Sequence, residues 1–224
     1  MKITETQSRI CSILKPKMLN LGFASDEYSP HFYSIHFAES NIQKTKHITL
    51  QFFNDSLGIN SLRGFIALNQ VNIILEKFID LKINKEYCTL NNFEEKEFIL
   101  TNIKKLNTIS KQKSINQYSL EILNHINEII LPFFDKYPDI QSINGRILNQ
   151  VPEKDYSEWV HGQSTLKILI IMKLCGNPKY EAYKASKEKE YLAFVNQNPT
   201  MWKPAYDTFL SLIEYLDRDG NNEF

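Results

Sequence analysis

The chain has 224 residues, 42% apolar and 23% charged, and its 26 Lys and Arg are balanced by 26 Asp and Glu. Its 14 Phe and 11 Tyr supply core material that a disordered chain lacks. Zero formal net charge removes the electrostatic footprint of a general nucleic-acid or anionic-membrane binder, so neither is expected as a partner.

The opening, Met1 to Arg9, has no apolar run of the kind a secretory signal needs. The longest apolar stretch, Leu166 to Cys175, is interrupted by Lys167 and Lys173 and is too short to span a bilayer. Cys11, Cys88 and Cys175 are far apart and odd in number, which points to reduced, buried thiols and a cytoplasmic location.

Thr4 and Gln7 match a capping box, and Ile10, Ile13, Leu14 and Met18 recur at helical spacing. A helix is expected over about 5–20, kinked at Pro16 and ended by Gly22. Period two then takes over. Residues 31–38 place Tyr33, Ile35 and Phe37 on one face, and 47–53 align Ile48, Leu50 and Phe52. Residues 62–68 form a third strand candidate, and the short polar connections predict an antiparallel sheet packed on one side.

Val71, Ile74, Leu75, Phe78 and Ile79 make an apolar helical stripe. The stretch 87–103 reads either way; Tyr87–Leu90 and Phe98–Thr101 would extend the sheet to five strands. Ser114 and Gln117 form a second capping box, opening a helix that Pro132 should kink near its end. Asp139 caps a shorter helix, Ser164 the most hydrophobic one, and Asn177-Pro178 and Asn198-Pro199 introduce the last two. Residues after Arg218 are expected to fray. Strands followed by helices define the α+β class: a kinked N-terminal helix, three to five antiparallel strands and a layer of about five helices. One domain over 1–224 is expected, with 1–110 (sheet-containing) and 111–224 (helical) as its alternative subdivision.

Leu14-Lys15-Pro16 followed by Leu21-Gly22-Phe23, with Glu128-Ile129-Ile130-Leu131-Pro132-Phe133-Phe134 further on, resembles a bacterial family of domains of unknown function. That family opens with a helix and an antiparallel sheet. The resemblance implies an intracellular bacterial protein, no established catalysis and an occasional place beside toxin-immunity genes. It carries no functional residue over.

Catalytic and cofactor signatures are missing from the residues. The seven glycines are scattered, so no phosphate-cradling loop is expected, and no cofactor. No Cys pair has zinc spacing. His31 and His36, five apart on a presumed strand, would face opposite ways, so no metal is expected either. Glu94, Glu95 and Glu97 read as a solvated turn. Asp155, His161 and Ser164 lie close in sequence but lack the G-x-S-x-G elbow of a hydrolase, and no catalytic residue is assigned. Tyr156, Trp159 and His161, in a polar inter-helix segment, have the composition of a binding hot spot and are the candidate protein-binding residues. A second aromatic group, Tyr180, Tyr183, Tyr191, Trp202 and Tyr206, reads chiefly as core edge. The expectation is a non-catalytic protein-binding module, immunity- or adaptor-like. The alternatives are a small-ligand binder with a cleft between sheet and helices, or an enzyme of unrecognised type.

Overall fold

The computed structural model describes residues 3–81, 87–91, 96–110 and 114–219. It contains a five-stranded antiparallel sheet in the order β1-β2-β3-β4-β5: Ala24–Ser25, Ser34–Ser40, Lys44–Phe52, Ile59–Leu68 and Leu90–Asn91. The helices are α1 (Ile3–Asn20), α2 (Asn69–Leu75), α3 (Lys96–Ile109), α4 (Ile115–His125), α5 (Leu131–Lys136), α6 (Ile140–Ile143), α7 (Tyr156–Trp159), α8 (Ser164–Leu174), α9 (Tyr180–Gln197) and α10 (Pro199–Asp219). The α+β class and the N-terminal helix are as expected. The chain separates into two compact units, each discontinuous: 1–67 with 91–138, and 68–90 with 139–224. The division does not fall at 110: α4 packs on α1 and α3, and Ile130 and Phe134 lie against Gly64 of β4, so 91–138 belongs with the sheet.

In the first unit, β2 and β3 pair in the register Ile35↔Leu50 and Phe37↔Ile48, so all four side chains share the buried face with Phe52, Leu62 and Ile66. Ile10, Leu14 and Met18 of α1 are fully buried, as are Ile122 and Ile126 of the α4 segment. Gly64 on β4 is the point of closest approach. A β-carbon there would overlap Cγ2 of Ile130 and lie 3.2 Å from Cζ of Phe134.

Several local expectations change. Helix α1 already includes Thr4, and Gln7 turns inward, fully buried, donating to the carbonyls of Phe53 (2.9 Å) and Ser56 (2.7 Å). A capping box is therefore not what Gln7 serves. The helix continues through Pro16; the carbonyl of Ser12 left without a donor lies on the exposed side, where water can serve it. Gly22, at φ +90°, closes α1 with the paired bonds Phe23 N–H to Met18 O and Gly22 N–H to Leu19 O, a Schellman ending. Tyr33 is a turn residue at φ +51° and not part of β2.

Residues 98–101 lie in α3, since a short apolar run does not discriminate strand from helix and Ile103 and Leu106 continue a helical period. Ser114 and Asp139 form complete capping boxes. Between α4 and α5, Ile126–Ile130 is a π turn whose last bond runs from Leu131 N–H to Ile126 O. The wider turn sits just ahead of Pro132, which has no N–H to continue an α ladder. The acidic residues Glu94, Glu95 and Glu97 and the chain end after Asp219 lie outside the residues whose side chains are described.

In the second unit, α8 is apolar all round, and Leu166 to Met172 are buried without exception. Such a helix must be central to its unit. Val71, Ile74 and Leu75 of α2 supply part of its cover. Ser164 is the first residue of α8 and not its cap; Gln163 holds the cap position. Among the described residues, no helix is long and apolar enough to cross a membrane.

Candidate functional site

The segment from Glu153 to Gln163 is tied to its unit from both ends. Val160 bridges Leu90, the His161 N–H donates to Thr89 O, and the hydroxyl of Thr89 accepts from Leu68 N–H. Lys167 completes the clamp. Its side chain is wholly buried in α8, and Nζ donates to the carbonyls of Cys88 (2.6 Å) and His161 (2.7 Å). A lysine inside the most apolar run thus serves as a backbone tie.

Of the three residues expected at a partner surface, one is corrected. Tyr156 is buried, its hydroxyl donates to Leu148 O at 2.5 Å, and its ring lies 5.9 Å from that of Tyr183. It is packed core and offers no side-chain surface. Trp159 is half-buried and His161 is exposed. Asp155 is half-buried, Glu158 exposed.

The same segment adjoins α9, because Glu153 meets Lys187 (3.8 Å) and Ser186 (3.4 Å). From there α9 and α10 run out together as a hairpin. Its root is well held: Tyr180 and Tyr183 are buried, and Phe209, Leu212 and Leu216 return into the core. Asp217 accepts from Lys173, Lys184 and Tyr180; partial burial opposes its ionisation, but these three donors hold its carboxyl below the usual range. The outer half differs. Over residues 184–208 no side chain is fully buried. The two helices are zipped there by rings: Phe194 stacks on Trp202 (4.8 Å, 25°), and Tyr191 meets Phe209 (5.0 Å) and Tyr206 (6.3 Å). Leu192 and Met201 remain exposed, at 42% and 65%. Tyr180 and Tyr183 are thus buried beyond the core edge expected of them, whereas Tyr191, Trp202 and Tyr206 are half-buried and join the outer parts of the two helices.

Among the described residues, one open groove of about 500 Å³ follows Glu76 to Leu81, and two others have walls from several elements. One, of about 470 Å³, lies between the β3–β4 turn and the end of α3, beside Phe53, Leu57 and Asn107. Its polar wall is already engaged, since the Asn107 amide holds both N–H and C=O of Ile59. The other, of about 200 Å³, lies at the root of the hairpin between Leu166, Tyr191 and Pro204, and is smaller than usual ligand sites.

The cysteines are far from thiolate chemistry. Burial pushes Cys11 and Cys88 up to about 12 and Cys175 up to about 11. His31 lies in a turn, so the facing argument made for His31 and His36 does not apply; the neighbour of His36 is His47, across on β3. Hydrophobic alternation marks both strands but does not reveal which histidines meet, because that depends on register. No protein-family model, curated protein or solved structure matches the chain.

Proposed function

We propose that the chain is a non-catalytic protein-binding module of the bacterial cytoplasm, immunity- or adaptor-like, that engages its partner through the outer half of the α9–α10 hairpin and the adjoining surface at Trp159 and His161. The observation that carries this reading is the hairpin tip: a stretch with no fully buried side chain that nevertheless concentrates Phe194, Trp202, Leu192 and Met201. Rigid aromatic anchors beside exposed aliphatic groups are the composition of binding hot spots. The ring zipper pre-organises them, so little conformational entropy remains to be lost on association. The high pKa values of the three thiols fit a scaffold better than a nucleophilic catalyst.

The test is recovery of the tagged chain from its host at moderate salt, with Leu192→Asp, Met201→Asp and Trp159→Ala compared against wild type. A stoichiometric protein partner lost from the Asp variants, with their helical content unchanged, supports the reading. A chain recovered bare under all growth conditions, or a partner indifferent to all three changes, refutes it.

A further inference from the structure

Three methionines lie among the described residues, and they differ in access. Met18 of α1 and Met172 of α8 are 0% exposed, so an oxidant in solution reaches them only through local opening. Met201 is 65% exposed. It stands in the first turn of α10, where its backbone N–H donates to the Asn198 side chain at 3.1 Å, so its backbone is held while most of its surface faces water. Its neighbour Trp202 is half-buried, the ring stacked on Phe194 at 4.8 Å.

The thiols do not compete for the same oxidant. Peroxide attacks thiolate and not thiol. Burial holds Cys11 and Cys88 at about 12 and Cys175 at about 11, so even for Cys175 only about one molecule in 10⁴ is thiolate at pH 7. Cys11 is buried, and the neutral S–H groups of Cys88 and Cys175 donate to Leu90 O (3.6 Å) and Ile140 O (3.7 Å). A thioether needs no deprotonation, so exposure decides which methionine reacts.

We propose that Met201 is a site of reversible oxidation by a hydroperoxide, and that its sulfoxide releases the partner from the hairpin. The release rests on the protein-binding reading above; the oxidation does not. A sulfur lone pair takes one peroxide oxygen. The S–O bond forms as the O–O bond breaks, sulfur loses two electrons, and the departing hydroxide leaves as water with the proton of the transferred oxygen. The product is a polar, chiral sulfoxide, which methionine sulfoxide reductases return to the thioether. In the hairpin tip it replaces an apolar contact by an acceptor whose burial against a partner demands a donor. The Phe194–Trp202 stack and the Asn198 cap do not use the Met201 side chain, so the hairpin itself stays closed.

Hydrogen peroxide on the purified full chain, followed by peptide mapping, tests the site. Sulfoxide should accumulate at Met201 at least about tenfold faster than at Met18 or Met172, with the three cysteines still reduced and helical content unchanged, and a sulfoxide reductase should reverse it. Equal rates at the three methionines, or earlier oxidation of a cysteine, overturns the proposal. The release is read by capture from host lysate with the treated chain, freed of peroxide. The oxidised chain should recover at least about tenfold less partner, reductase treatment should restore it, and capture by Met201→Leu, whatever its starting level, should not respond to peroxide. A partner held equally by oxidised and reduced chain, or a response that persists in Met201→Leu, overturns the release. A chain bare in every state refutes the protein-binding reading and the release with it, while the peptide map still decides the oxidation.

Discussion

His125 shows how much a single buried side chain can decide. It is 5% exposed, and neither ring nitrogen has a hydrogen-bond partner among the described residues. Burial lowers it from the ordinary 6.5 to about 4. Between those two values the unfolded chain binds a proton that the native state refuses, so stability rises with pH across this window and is lost as pH falls through it. The shift corresponds to about 3 kcal/mol at this one position. Urea midpoints should therefore drop steadily from pH 6.5 to pH 4.5. His125→Leu, which forfeits no hydrogen bond, should flatten the slope; an unchanged slope would show that His125 is not its source. His47, also lowered to about 4, leaves some residual dependence.

Two packing positions give sharper tests. Gly64→Ala drives a methyl into Ile130 and Phe134 and should cost about 1–3 kcal/mol of unfolding free energy. Tyr156→Phe keeps the ring against Tyr183 and loses only the bond to Leu148 O, about 1 kcal/mol, with any partner binding unaffected.

Among the elements, the α9–α10 hairpin combines a rigid root with an outer half joined chiefly by rings. Asn198 lies at the bend, its side chain accepting from Met201 N–H at 3.1 Å, which caps α10. Asn198→Ala should cost about 1 kcal/mol, the usual worth of a cap. Because residues 184–208 bury no side chain fully, the loss should be felt locally. Amide exchange should quicken over 199–205 while the buried α8 helix stays protected; faster exchange throughout α8 would mean that the tip is part of the global folding unit. Both the cap and the start of α10 are legible in Asn198-Pro199. The ring zipper is not, since stacking across a hairpin depends on how two helices are rotated against each other.

At the scale of the whole molecule, the two units share one chain that passes from the first to the second at residue 68, back at 91 and over again at 139. A cut near 110 respects neither. A fragment of 1–110 would keep α2 but lose α8, exposing Val71, Ile74 and Leu75, which are buried to within 1% in the full chain. It would also lose Ile130 and Phe134, which lie against Gly64 of β4, and the α4 cover of α1. Such a fragment, and 111–224 likewise, should bind a hydrophobic dye and lack a cooperative melting transition. Independent cooperative folding of both halves would contradict this division.

The local alphabet of the fold is written in the sequence: the alternation of Ile48, Leu50 and Phe52, the helical period of Ile10, Leu14 and Met18, the caps at Ser114 and Asp139, and the Gly22 ending. Each depends on backbone geometry and side-chain spacing within a few residues, which the chain carries wherever it goes. Tertiary structure alone decided the rest. Gln7, read as a cap, became a strut for the β3–β4 turn; Tyr156, read as surface, became core; Lys167 became a clamp; and His36 found His47 instead of His31. In each case the partner lies on a different element, and the choice was made by burial, register and packing, which no local spacing encodes.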